Sequence, residues 1–125
     1  MKNKPNFDSV SGIFNSWLGF HVELKEKYFL RAFDEDNDPF ESSRMNILIT
    51  NPFGIFSLGV FRTVMEYRKF TAMGSGDEYA IGAMRAVYDD ESKTAADIAQ
   101  IGITVAAEFD DGTGLPMESY SVKLK

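Results

Sequence analysis

The chain has 125 residues, 44% of them hydrophobic and 26% charged, and its 13 Lys and Arg against 19 Asp and Glu give a formal net charge of −6. That length suits one domain with one core, and the acidic balance speaks against nucleic acids and anionic membranes as partners, since both are held by clustered Lys and Arg. Cysteine is absent, the start MKNKPNFDSV lacks the apolar core of a signal peptide, and no apolar run is long enough to span a bilayer, so disulfides, thiolate nucleophiles and thiolate zinc sites drop out and a soluble, cytoplasmic protein is expected.

In chain order, the first predicted element is a helix that starts near Asp8 or Ser9, either of which suits a cap. Val10, Ile13, Phe14, Trp17, Leu18, Leu24 and Tyr28 recur at helical spacing, leaving Glu23, Lys25, Glu26 and Lys27 outward. The acidic, proline-containing FDEDNDPFESS reads as a loop. MNILIT and IFSLGVF, joined by the turn NPFG, read as a β-hairpin, and TVMEYRKFTAMG adds extended chain in two short pieces with a bend. Helices are predicted from Asp77 to about Tyr88 and from about Thr94 to Phe109, with Thr94 and Asp97 spaced as a capping pair. PMESYSVKL alternates as a closing strand.

Strands joined by tight turns form an antiparallel sheet with helices layered on a face, so the fold class is α+β in a single domain over residues 1–125. Ala80, Gly82, Ala83 and Ala86 on the second helix, and Ala95, Ala96, Ala99, Gly102, Ala106 and Ala107 on the third, predict close packing of the helical layer.

Among sites that carry chemistry, Asp34, Asp36 and Asp38 begin like a calcium loop, but Pro39 stands where glycine is needed and Met45 where the bidentate glutamate belongs. They read as a solvated charged loop. His21 is the one histidine. Any Ser–His–Asp mechanism would rest on it, and its place in the first helix beside aromatic residues makes it a packing or surface residue.

The stretch FTAMGSGDEYAIGAM, residues 70–84, holds one hydroxyl between two glycines at the mouth of a helix. A hydrolase elbow requires glycine at Met73 and Asp77, and a dinucleotide fingerprint requires one at Tyr79, so both fail. What remains is a turn, Gly74, Ser75 and Gly76, whose exposed amides at the helix mouth favour an anion or a polar hydroxyl. Downstream, AAEFDDGTGLP ends the third helix with Asp110, followed by Thr113 and Gly114, which alone reads as a cap and turn.

Together, AMGSGDEYAIGAM and AAEFDDGTGLP resemble proteasome β-subunits and the bacterial HslV peptidases, of the N-terminal-nucleophile (Ntn) hydrolase fold. The resemblance covers residues 45–124 and, less closely, the first helix. It implies two antiparallel sheets stacked between helical layers, here with an incomplete N-terminal half. It places Ser75 as the serine beside the nucleophile, Asp110 as the aspartate near the N-terminal amine, and Thr113 where the family usually has serine. Carbonyls of Ala107, Asp110 and Thr113 would correspond to a cation site seen in some members. The family's threonine nucleophile, whose own amine is the general base, has no counterpart in MKNKPN. The expectation is therefore a non-catalytic assembly or interaction module, incomplete without a second copy or a separate N-terminal half. The alternatives are the C-terminal half of a split threonine peptidase and a small anion-binding domain. No cofactor is expected.

Overall fold

The computed structural model describes residues 4–28 and 45–125. The acidic stretch with Asp34, Asp36 and Asp38 lies outside the described residues. The chain forms two compact units, Met1–Arg68 with Lys123–Lys125, and Lys69–Val122.

In the first unit, helix α1 spans Val10–Tyr28. Of the two candidate caps, Ser9 takes the role: its Oγ accepts from the Gly12 amide at 3.2 Å, while Asp8 Oδ1 accepts from the Ser9 hydroxyl. The buried stripe is Ile13, Ser16, Trp17 and His21. Phe14 and Tyr28, expected on that face, are exposed. Ser16 is tolerated inside because its hydroxyl is used twice: Oγ accepts from the Asn6 amide at 2.8 Å and donates to the Asn6 carbonyl at 3.0 Å.

Strands β1 (Ile47–Asn51), β2 (Gly54–Leu58) and β3 (Val64–Tyr67) form one antiparallel sheet in the order β1-β2-β3. The register pairs Ile47 with Leu58, Ile49 with Phe56, and Phe56 in turn with Glu66. Phe56 and Leu58 are buried on one face, and Ser57 on the other shares a 3.1 Å hydrogen bond with the Tyr67 hydroxyl. At the hairpin turn, Asn51 Oδ1 accepts from the Phe53 amide and Asn51 Nδ2 donates to the Phe7 carbonyl at 2.6 Å. Helix α1 packs against β3.

Two strand expectations are corrected here. The second strand stops at Leu58 rather than Phe61, because Gly59 and Thr63 close a tight turn (Gly59 N–H to Thr63 O, 2.8 Å) with Arg62 at φ 58°. Only one strand, β3, forms between Thr63 and Gly74, since five-residue β2 offers no further ladder beyond the Ile55–Tyr67 pair.

The second unit is helical. Helix α2 covers Asp77–Val87 and α3 covers Ala95–Phe109. Thr94 and Asp97 form the expected capping box: Oγ1 of Thr94 accepts from the Asp97 amide, and the Asp97 carboxylate accepts from the Thr94 amide at 2.8 Å. Ala80, Met84, Ile98 and Ala106 form the core, flanked by Phe70, Ala72, Val87 and Tyr88. The small-residue reading holds at Gly102, where an added β-carbon would lie 2.8 Å from Met84 Cγ and 3.2 Å from the Ala80 carbonyl.

The predicted closing strand over 116–124 is absent, as is a strand leading into Gly74. The unit that holds residues 69–122 contains two helices and no strand, so the chain as far as Val122 finds no ladder partner within it, and beyond that the Lys125 amide donates to the Pro52 carbonyl at 2.9 Å without a ladder forming. The described architecture is α+β with three helices and one three-stranded antiparallel sheet; a second stacked sheet is not among the described residues.

Candidate functional site

The two glycine-flanked hydroxyls come together at one end of the α2–α3 hairpin. On the α2 side, Gly74 has φ +132°, a backbone conformation that side chains disfavour, and its carbonyl accepts from the Asp77 amide at 3.4 Å. This turn leaves Ser75 exposed and Gly76 buried at the helix mouth. On the α3 side, the Asp110 amide donates to the Ala106 carbonyl at 2.8 Å, after which the chain leaves the helix at φ −117°, ψ 120°. The Thr113 amide then donates to the Asp110 carbonyl at 3.1 Å, folding Thr113 back beside its carboxylate. The rings of Tyr79 and Phe109 stack at 5.9 Å and hold the two helix ends together.

Ser75, Asp110 and Thr113 form one cluster. Ser75 Oγ donates to Asp110 Oδ2 at 2.7 Å, and Thr113 Oγ1 donates to the same oxygen at 2.6 Å. Both distances are in the range of charge-assisted O–H···O⁻ bonds. The hydroxyls of Thr113 and Ser75, with a smaller contribution from the Gly112 amide, hold the Asp110 carboxyl below the usual carboxylate range; desolvation opposes them only in part. Asp110 is thus a fixed anion near neutral pH. A carboxylate so stabilised is a poor base, so it does not turn Ser75 into a nucleophile. What it offers is a rigid negative charge for orienting a positively charged or proton-bearing group.

The anion-binding reading of Gly74–Gly76 meets two obstacles. The Ser75 hydroxyl is directed to Asp110, and the first turn of α2 carries Asp77 and Glu78, whose charges already complement the positive end of the helix. His21 is buried in α1, edge-on to Trp17 at 6.0 Å, as a packing residue is. Of the carbonyls suggested for a cation, that of Asp110 already accepts from Thr113. Among the described residues no group of three or more His, Cys, Asp and Glu is arranged to hold a metal ion, and no helix is long and apolar enough to cross a membrane.

Gly112 is the contributor that sequence reading missed. The signal was present in DDGTG, where Thr113 has glycine on both sides just as Ser75 does.

No family profile matches the chain, and no curated protein matches it. Solved structures do. A structure of Thiobacillus denitrificans BPH superposes with a TM-score of 0.87 at 46% sequence identity, over 100% of this chain and 64% of that one. Thiobacillus denitrificans BPH in complex with epoxomicin gives the same TM-score at 45% identity and the same coverage. This chain therefore spans less than two thirds of the length of these solved proteins.

Proposed function

We propose that this chain carries the orienting part of a proteasome-like, threonine-type peptidase site, whose nucleophile comes from polypeptide outside these 125 residues, on the same chain or on a partner. The observation that supports it most is the convergence of hydrogen bonds from two hydroxyls on one oxygen of Asp110. An N-terminal threonine that attacks a peptide carbonyl uses its own amine as base, and that amine becomes an ammonium as it takes the proton. A carboxylate that is ionised at neutral pH beside it stabilises the charged form and fixes its position. Ser75, Asp110 and Thr113 are then positioning residues.

The solved relative binds epoxomicin, a proteasome inhibitor, which supports a proteasome-related peptidase over an unrelated function on the same fold. A pure interaction module has no need of two hydroxyls converging on one carboxylate, and an anion-binding module is opposed by Asp77, Glu78 and Asp110 together.

The test is incubation with epoxomicin of the protein isolated with whatever polypeptide completes it, followed by intact-mass analysis and fluorogenic-peptide hydrolysis. A covalent adduct on an N-terminal threonine, with turnover that falls on Asp110→Ala, is the expected result. Turnover that is indifferent to Ser75, Asp110 and Thr113, or no adduct on the completed protein, overturns the reading.

A further inference from the structure

The two hydroxyl-bearing turns make room for each other in a crossed arrangement. A β-carbon added at Gly112, the neighbour of Thr113, would overlap Ser75 Oγ. A β-carbon added at Gly76, the neighbour of Ser75, would lie 2.6 Å from Thr113 Oγ1, with Ala106 Cβ at 3.0 Å and Asp110 Oδ2 at 3.1 Å. Each glycine thus guards the hydroxyl of the opposite turn. Neither has a positive φ, so alanine would fit the backbone at both; space, not conformation, excludes it. Gly114, only one position beyond Thr113, has nothing within 4 Å of an added β-carbon.

We infer that Gly76 and Gly112 are positioning residues, each leaving, by the β-carbon it lacks, the space that the rotamer of one Asp110-bonded hydroxyl occupies: Gly112 for Ser75 and Gly76 for Thr113. This rests on the proposed role of the cluster for its purpose, but its geometry stands alone. A clash with the end of a short side chain is relieved most cheaply by rotating that side chain. At position 112 the other neighbours, Asp110 Oδ2 at 3.3 Å and Ser75 Cβ at 3.4 Å, are nearly at ordinary contact, so rotation of Ser75 about χ1 is enough. It removes the Ser75–Asp110 hydrogen bond and leaves the fold in place. At position 76 rotation of Thr113 relieves only part of the clash, because Ala106 Cβ sits on α3 and cannot turn away.

The experiment is NMR of the 125-residue chain, reading χ1 of Ser75 and Thr113 from three-bond Hα–Hβ couplings in Gly112→Ala, Gly76→Ala and Gly114→Ala. In G112A the Ser75 couplings shift to another rotamer and those of Thr113 stay. In G76A the Thr113 couplings shift and those of Ser75 stay. G114A changes neither. If either alanine substitution destabilises the chain, pairing separates the causes: Ser75→Ala restores the melting temperature of G112A but not of G76A, whereas Thr113→Ala restores part of that of G76A and none of that of G112A. Retention of the Ser75 rotamer in G112A, equal disturbance of both hydroxyls by both variants, or rescue without the crossed pattern overturns the inference. None of these readouts requires peptide hydrolysis, so they succeed or fail independently of the peptidase reading.

Discussion

Ser75 and Asp110, 35 positions apart in sequence, are joined by a 2.7 Å hydrogen bond across the ends of α2 and α3. The bond ties the start of one helix to the exit of the next, and Thr113 shares its acceptor oxygen. Asp110→Asn keeps the shape and one acceptor oxygen but removes the charge that, in the proposed function, holds the ammonium of the nucleophile. We expect the fold to persist by circular dichroism, while peptide turnover of the completed protein falls by about 10²-fold. Thr113→Ser should preserve most of that turnover, since the donor to Asp110 is kept.

The three aspartates that are clearly perturbed in this second unit all move the same way. Asp90 is lowered chiefly by the Ser92 hydroxyl and amide, Asp97 by the Thr94 hydroxyl and amide, and Asp110 by the Thr113 and Ser75 hydroxyls. Each titrates lower folded than unfolded, so each contributes stability that is fully present above the ordinary carboxylate range and is lost as pH falls through its folded value. Melting temperature measured across pH should therefore be flat near neutrality and decline below about pH 4. Replacing Asp97 or Asp110 by Asn should flatten that decline. A melting temperature that rises on acidification would contradict the assignment.

The α3 start was legible in sequence because capping is local: Thr94 and Asp97 are three residues apart, and the hydrogen bonds they make need no tertiary partner. The hairpin through Asn51 to Gly54 was legible for the same reason. The strand predicted at 116–124 failed because alternation describes a surface that can pair and says nothing of a partner, and the helical unit that holds it as far as Val122 provides none. Phe14 and Tyr28 misled because an apolar residue at helical spacing need not face the core when Ser16 and His21 take the inner stripe. At the site, Ser75, Asp110 and Thr113 came from resemblance of two motifs. Their meeting at Oδ2 and the part of Gly112 depend on how α2 and α3 pack, which no local pattern encodes.

The capping box offers a direct stability test. Thr94→Ala removes the acceptor for the Asp97 amide and should lower stability by about 1 kcal/mol in denaturant unfolding. Thr94→Ser should recover most of the loss. An unchanged midpoint for Thr94→Ala would mean that α3 is held by packing alone.

Two glycines in the hairpin should respond oppositely to alanine. At Gly102 the new methyl meets Met84 Cγ at 2.8 Å and the Ala80 carbonyl at 3.2 Å, so overpacking of about 1–3 kcal/mol outweighs the helix-propensity gain. At Gly82, on α2, there is open space, and Gly82→Ala should stabilise by roughly 0.5–1 kcal/mol. Thermal denaturation of the two variants side by side checks the sign of each.

The direction of the two hydroxyl bonds also decides what kind of guest the cluster accepts. The hydroxyls of Ser75 and Thr113 each have a single hydrogen, and both are donated to Asp110. The oxygens therefore turn only lone pairs toward any visitor. On the proposed peptidase reading, such a surface favours an amine with hydrogens to give over carbonyls, phosphates and other groups that bring lone pairs of their own.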